Sequence, residues 1–337
     1  MAEGDGSGRP WRRYVVVVAA LAVSMTAQCS SDGKDEQSTT LAPQRLSRSV
    51  AAVQSFVGDD LTASRSGFRL GSSRRDLYTA SDLAAKGGLL RVSNAAGKSV
   101  RAGLVAVAPC EGVALLRLRD DLSLSSLAPR TERVRVEEQV AMAGFRRLGA
   151  SGRRLEIVDS VVTSSGTPVG PFVEALRVDA LPPRGFSGGP ALDTRGRVVG
   201  MNTAYVPVEQ PGEEAVLVGI QRLRAIAAHP ERGRSPESLG MLLDFGVDTR
   251  ELGFPPGVIA VGAIPGTSTA RMGLPLPALV VSVGGVAMDR GRKGYCDVVR
   301  ADRGRVSVVV RTLRTSSSEG ERDVTLGPRQ EFVVPRQ

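Results

Sequence analysis

Short apolar runs separated by turn-forming residues occupy most of the chain after residue 46. Most of these runs have the length of strands, and Gly, Pro, Ser and Asn separate them, which is typical of strands joined by turns. The predicted strands include Leu89–Val92, Val100–Val107, Val113–Leu118, Gln139–Ala143, Leu155–Val162 and Arg197–Met201. Only Arg222–Ala228, at the end of this region, predicts a helical turn. The pattern predicts an all-β barrel domain.

A polar segment that contains two prolines, His229–Pro236, interrupts this pattern. Beyond it, apolar runs predict three strands of a smaller second domain, at Gly257–Val261, Ala278–Val283 and Val306–Val310. Exposed polar segments of this kind are common boundaries between domains. The predicted organisation is an N-terminal segment at 1–29, a linker at 30–46, a barrel domain at 47–229, a linker at 230–236 and a second domain at 237–330.

The N-terminus has the features of an export signal. Three arginines precede an apolar run, Val15–Ala27, which is shorter than the roughly 20 residues of a membrane span and fits a signal-peptide core. The end of this run resembles a bacterial lipobox, in which Cys29 would be lipidated; simple cleavage and an uncleaved anchor are the alternatives. The polar residues that follow predict a flexible tether. We expect an exported protein, periplasmic or extracellular, that associates with the membrane through its N-terminus.

The charged residues and the cysteines indicate which ligands and cofactors the sequence does not favour. Lys and Arg outnumber Asp and Glu by 44 to 35, but the basic residues are dispersed and do not alternate with aromatic residues, so we expect no nucleic-acid binding. The chain has three cysteines, Cys29, Cys110 and Cys296. Because the last two fall in different predicted domains, we expect no structural disulfide. No cysteine–histidine spacing indicates a zinc site, and we expect neither a metal nor another cofactor.

The stretch from Asp179 to Thr203 carries the clearest chemical signal. In it, Ser187 is followed by two glycines and a proline. Glycines permit the tight turn and close backbone approach that bring N–H groups together at one point. This turn predicts an oxyanion hole formed by the amides of Gly185 and Ser187.

This stretch resembles the trypsin-like serine proteases and, within them, the HtrA/DegP family. The resemblance rests on the leading Asp179-Ala180, the serine turn and the trailing Gly-x-Val-x-Gly-x-Asn-Thr strand that ends at Thr203. Further matches are Gly67-Phe68, Asn94–Gly97 and Ala114–Leu118. The resemblance implies a chymotrypsin-like double β-barrel in which Ser187 is the catalytic serine and Leu181 lies in the specificity pocket.

The chain departs from this family at the other two positions of the catalytic triad. Asp82 stands where the resemblance places the catalytic histidine, and Gly112 stands where it places the aspartate. A serine hydroxyl needs an adjacent base, and a carboxyl with a pKa near ~3.9 is a poor substitute for an imidazole near ~6.5. His229 and Lys86 are weak alternatives, because His229 falls at the linker and Lys86 shows no sign of burial.

The second domain resembles the bacterial PDZ domains. Leu239-Gly240-Met241 resembles their carboxylate-binding loop, and Gly257–Val261 and Ile264–Leu274 match the strands and turn that follow, although Pro277-Ala278 replaces the usual Gly-Asp. The resemblance implies a small α+β domain that binds the C-terminal carboxylate of a peptide, which adds a strand to a sheet edge. An assembly module, and with it a homo-oligomer, is the alternative.

Three functions follow from these features. The favoured one is a pseudoprotease, an exported scaffold or regulator that binds unfolded or C-terminal peptides of envelope proteins without cutting them. The second is an active serine endopeptidase that uses an unconventional base with Ser187. The third is a protein that binds an anionic envelope polymer through its net charge of +9.

Overall fold

A computed structural model describes residues 43–84, 88–149, 152–203, 214–227, 237–301, 304–318 and 321–335. The N-terminal segment with Cys29, the candidate base Lys86 and the boundary residue His229 lie outside the described residues. Across the described ranges, no helix combines the length and apolarity that a membrane crossing requires.

The first barrel closes six antiparallel strands in the order β1-β2-β3-β6-β5-β4. A short helix, α1 (Pro43–Leu46), precedes it, and α2 (Ser81–Ala84) follows β3. Closure leaves no exposed sheet edge. The strands are β1 (Val50–Val57), β2 (Asp60–Phe68), β3 (Asp76–Ala80), β4 (Leu89–Ser93), β5 (Ser99–Ala108) and β6 (Val113–Leu118).

The second barrel also closes six antiparallel strands, in the order β10-β11-β12-β9-β8-β7, and ends in helix α3 (Ile220–Ala227). One buried apolar cluster contains Phe68 and Leu115 of the first barrel together with Phe145 and Val218 of the second, so the barrels share a core. The strands are β7 (Gln139–Leu148), β8 (Gly152–Val169), β9 (Phe172–Val178), β10 (Pro190–Asp193), β11 (Val198–Asn202) and β12 (Ala215–Gly219). The two closed barrels confirm the predicted double β-barrel.

The C-terminal domain, residues 237–335, is a sheet ordered β13-β14-β15-β17-β18, with β16 paired to β15. It has six strands where the sequence predicted three, and its last strand ends at Pro335, past the predicted limit of 330. Its elements are β13 (Met241–Asp244), β14 (Val258–Ala263), α4 (Ser268–Arg271), β15 (Ala278–Val283), β16 (Val286–Ala287), α5 (Gly291–Ala301), β17 (Arg305–Ser318) and β18 (Glu321–Pro335).

A disulfide joins Cys110, in the turn after β5, to Cys296 of α5. The two residues are 186 positions apart in sequence, but their Cα atoms are 5.7 Å apart. The expectation of no structural disulfide was therefore wrong. It assumed that cysteines in different domains are far apart, whereas the first barrel and the C-terminal domain pack against each other at this turn, and Cys110 lies in the buried core cluster of the C-terminal domain.

Candidate functional site

The loop that carries Ser187 leaves β9 at Val178 and enters β10 at Pro190. Asp179 fixes its start, because its carboxylate accepts hydrogen bonds from the Val161 amide at 2.8 Å and the Ser160 hydroxyl at 2.7 Å. These hydrogen bonds lower the pKa of Asp179. The Ser160 oxygen in turn accepts a hydrogen bond from the Ala180 amide at 3.1 Å. The Asp-Ala pair of the motif therefore anchors the serine loop to β8.

Gly188 lies at the contact between the two barrels. A Cβ at this position would stand 2.3 Å from the Ser66 carbonyl oxygen and 2.5 Å from the Ala80 nitrogen, and the backbone φ of +85° disfavours other residues. The Gly188 amide donates a hydrogen bond to the Asn202 carbonyl at 2.8 Å. The serine turn therefore packs against the end of β3, which leads into α2 and Asp82.

Ser66 of β2 fixes the turn from the first barrel. Its amide donates to the Ser187 carbonyl at 2.9 Å, and its hydroxyl donates to the Gly185 carbonyl at 2.8 Å. The same hydroxyl accepts a hydrogen bond from the Phe145 amide at 2.7 Å. The sequence did not predict a role for Ser66, whose only signal was its place directly before the Gly67-Phe68 match.

The two predicted oxyanion-hole amides are open to a ligand. Among the described residues, neither the Gly185 amide nor the Ser187 amide has a hydrogen-bond acceptor, and the Ser187 hydroxyl has no partner. The neighbouring amides of Phe186, Gly188 and Gly189 all donate within the protein. Two unpaired donors beside a half-buried serine are the arrangement that stabilises a carbonyl oxygen or another oxyanion.

These groups face an open cleft of about 520 Å³. The structure therefore brings together Ser187, Gly185 and Leu181, which the sequence had singled out. Leu181 is 43% exposed and forms part of the cleft wall. The lining residues are Ser64, Arg65, Arg147, Leu181, Pro182, Pro183, Arg184, Gly185, Ser187, Thr203 and Ala215.

Asp82, in the first turn of α2, is held by Arg65 of β2. The Arg65 Nε donates to Asp82 Oδ2 at 3.0 Å and lies 3.3 Å from Oδ1, and the Nη2 also contacts Oδ2. Arg65 lines the same cleft as Ser187. Arg65 holds the Asp82 carboxylate in an ion pair, which Asp82 would have to leave to take the proton of a serine.

Gly112 contacts the C-terminal domain. A Cβ at residue 112 would stand 3.0 Å from Nη1 of Arg292, on α5, and the backbone φ of Gly112 is +68°. The Arg292 guanidinium also lies 5.2 Å from the centroid of the Phe245 ring. The Gly112 carbonyl accepts a hydrogen bond from the Ser81 amide at 2.8 Å, which ties this turn to the start of α2.

Glu111, between Cys110 and Gly112, lies in a cluster of two buried glutamates and two partly buried arginines that joins the first barrel, α3 and the C-terminal domain. Arg222 Nε donates to Glu111 Oε1 at 2.8 Å, and Arg222 Nη2 lies 2.8 Å from Glu237 Oε1. Arg300 Nη2 donates to Glu237 Oε2 at 3.1 Å and lies 3.5 Å from Glu111 Oε1.

The two carboxyls of this cluster titrate differently. Burial, opposed by Arg222, raises the pKa of Glu111 to about 7. Burial alone would also raise the pKa of Glu237, but the hydrogen bond from Arg300 and the nearby Arg222 lower it. The pair therefore keeps Glu237 ionised and gives Glu111 a proton below about pH 7.

The predicted peptide-binding loop, Leu239-Gly240-Met241, is buried. The Leu239 amide donates to the Tyr295 hydroxyl at 3.2 Å, and the Gly240 amide donates to the Ser238 hydroxyl at 3.1 Å. Cys110 of the first barrel lies in the same buried cluster as Leu239 and Met241. In this conformation a peptide carboxylate would have to displace these internal contacts. Over the described ranges, no group of three or more His, Cys, Asp or Glu side chains is placed to hold a metal ion.

Comparisons with known proteins find one matching family model and similar solved structures. Residues 65–201 match the family model of the trypsin-like peptidase domain. The crystal structure of the serine endoprotease from Yersinia pestis superposes with a TM-score of 0.50 at 16% identity, over 86% of this chain and 97% of that chain. The active form of the Rv3671c protease from M. tuberculosis superposes with a TM-score of 0.47 at 18% identity, over 56% of this chain and 82% of that chain.

No curated protein has a significant sequence match to this chain. The family-model match and the likeness to the Yersinia endoprotease show a trypsin-like fold.

Proposed function

We propose that the protein is an HtrA-like pseudoprotease, an exported scaffold or regulator that binds peptides of envelope proteins in its trypsin-like cleft without cutting them. The observation that carries this proposal is the Arg65–Asp82 ion pair, which occupies the predicted place of the catalytic base beside an otherwise formed serine turn.

The chemistry of the cleft supports binding over cleavage. The Ser187 hydroxyl lacks a base among the described residues, since Asp82 is engaged by Arg65. A site reduced to its oxyanion donors and binding contacts retains only about 10³–10⁴-fold acceleration over water. By contrast, the loss of the triad histidine alone costs about 10⁶ in turnover in subtilisin. The amides of Gly185 and Ser187 still offer donors to a peptide carbonyl.

The turn at residues 110–112 supports the same conclusion. In the family that the sequence resembles, this turn supplies the triad aspartate. Here Cys110 forms a disulfide with Cys296, Glu111 is buried among arginines, and Gly112 packs against Arg292. The turn has become a contact between the first barrel and the C-terminal domain, which leaves no acidic group free to orient a base.

The disulfide also supports export. Disulfides persist in oxidising compartments and are rare in the cytosol. Together with the signal-like N-terminus, the Cys110–Cys296 bridge favours a periplasmic or extracellular location. In this proposal the N-terminal segment holds the protein at the membrane, by lipidation of Cys29 or as an uncleaved anchor.

The test measures labelling and cleavage separately. A fluorophosphonate probe, which labels activated serines, is expected to leave Ser187 unmodified, and unfolded casein is expected to bind without being cut. The Ser187→Ala variant is the matched control in both assays. Casein cleavage that disappears in Ser187→Ala would overturn the proposal and establish an active endopeptidase with an unconventional base.

A further inference from the structure

The charged residues that line the cleft beside Ser187 are all basic. Of its eleven lining residues, Arg65, Arg147 and Arg184 carry charge, and none is acidic. Asp82 neutralises Arg65. In the described part of the chain, neither Arg147 nor Arg184 has a carboxylate within ion-pair distance. Arg147 Nε donates a hydrogen bond to the Gly149 carbonyl at 3.1 Å, but this neutral partner leaves the charge unbalanced. The cleft therefore offers two positive charges that no carboxylate balances.

The backbone holds these two arginines next to each other. The Arg147 amide, on β7, donates a hydrogen bond to the Arg184 carbonyl at 3.2 Å. Arg184 directly precedes Gly185, whose amide is one of the two open donors. Two guanidiniums and two unpaired backbone amides therefore lie on adjoining segments of one cleft, and all of these groups favour an anionic oxygen.

Two neighbouring arginines share one carboxylate. Arg146, next to Arg147 on β7, and Arg154 on β8 both form ion pairs with Glu156. Arg153 on β8 donates instead to the side-chain oxygen of Gln54 at 2.7 Å, so uncompensated charge also occurs elsewhere on β7–β8, and the cleft differs in having the open amides of Gly185 and Ser187 beside it. Two arginines that lie beside oxyanion donors and have no carboxylate of their own fit a ligand that supplies one.

We propose that this cleft recognises a carboxylate on a polypeptide, through Arg147, Arg184 and the amides of Gly185 and Ser187. The apolar part of the lining, which includes Leu181, Pro182 and Ala215, suits an apolar side chain next to that carboxylate. An anionic polymer without apolar groups would leave this wall unused, so a peptide is favoured. The inference rests on the proposed peptide-binding function and names its ligand class.

The experiment measures binding of fluorescent peptides to the full chain by anisotropy. The parent peptide has an internal Glu beside Leu and a free C-terminus. Three derived peptides carry Gln in place of Glu, an amidated C-terminus, or both changes. The Arg147→Gln/Arg184→Gln double variant is compared with Arg101→Gln/Arg224→Gln, which removes the same charge from exposed positions outside the cleft. We expect the cleft variant to bind the parent at least tenfold more weakly and the control to stay within twofold.

The peptide pairs identify the source of the carboxylate. If replacing Glu by Gln weakens peptide binding, the recognised carboxylate is that of the side chain. If amidation weakens binding, the recognised carboxylate is that of the C-terminus. Either result supports the proposal. Equal binding of all four peptides, equal weakening in both double variants, or binding of polyphosphate but of no peptide would overturn it. Cleavage of a bound acidic peptide would refute the pseudoprotease function while leaving this inference intact, so the two failures are distinguishable.

Discussion

Arg292 of α5 packs against Gly112, with its Nη1 only 3.0 Å from the place where a Cβ of residue 112 would stand. A guanidinium of the C-terminal domain thus covers the position at which the HtrA resemblance implies a triad aspartate. An aspartate introduced there would form an ion pair with Arg292 instead of a hydrogen bond that orients a histidine at residue 82.

For this reason the double substitution Asp82→His/Gly112→Asp is expected to leave proteolysis at background. The new aspartate would pair with Arg292 in a backbone conformation that costs it about 1 kcal/mol or more, and Arg65 would lose its Asp82 partner. Hydrolysis of unfolded casein is the measurement, with Asp82→His alone as the control. Hydrolysis that requires both substitutions and Ser187 would contradict this expectation.

Gly188→Ala tests the packing of the serine turn. Its Cβ would stand 2.3 Å from the Ser66 carbonyl and 2.5 Å from the Ala80 nitrogen, so the turn or β2 must move. We expect the free energy of unfolding to fall by about 2 kcal/mol or more. Gly103→Ala is the control, because a Cβ there meets nothing within 4 Å. The measurement is the midpoint of urea unfolding. Similar midpoints for the two variants would mean that the serine turn is not packed against Ser66 and Ala80 as described.

The sequence predicted the local parts of this fold better than its long-range contacts. Apolar strands such as β6 were found with their correct limits, Val113–Leu118, because their pattern is local. β2, Asp60–Phe68, was missed because it is largely polar, and the hydroxyl of its buried Ser66 finds its partners in the serine loop and β7, far away in sequence.

The same division applies to the site. Ser187, Gly185 and Leu181 lie within seven residues of one another, so a single motif placed them in one cleft. The Arg65–Asp82 pair spans 17 positions and the disulfide spans 186. Arg65 and Asp82 meet through the packing of β2 against α2 within the first barrel, and the two cysteines meet through the packing of that barrel against the C-terminal domain. The local pattern of apolar and polar residues reveals neither contact.

The disulfide is expected to couple the first barrel to the C-terminal domain. Replacing both bridging cysteines in Cys110→Ser/Cys296→Ser should lower stability by about 2–4 kcal/mol, because the bridge restricts a long loop of the unfolded chain. Calorimetry of this variant should then resolve separate unfolding transitions for the barrels and for the C-terminal domain. A dithiol reductant should produce the same change in the unmodified protein and none in the double variant; one unchanged transition in both would rule out this coupling.

The buried Glu111 predicts a stability that falls as the pH rises toward neutrality. Its pKa is raised to about 7 in the folded protein, above the usual value of about 4.5, so between these values the folded state holds a proton that the unfolded state has released. The stabilisation from this proton is present below about pH 4.5 and is lost as the pH rises through about 7. The lowered pKa of Glu237 has the opposite effect, but only at more acidic pH.

Glu111→Gln removes this titration while keeping a side chain of similar shape among Arg222, Arg300 and Glu237. Urea midpoints measured at pH 5 and at pH 7.5 should therefore differ less in Glu111→Gln than in the unmodified protein. Glu174→Gln, at an exposed position of β9, should keep the unmodified difference. The unmodified protein and Glu111→Gln share every other carboxyl. A Glu111→Gln variant with the full pH dependence would therefore assign the effect to another group and refute the protonated Glu111.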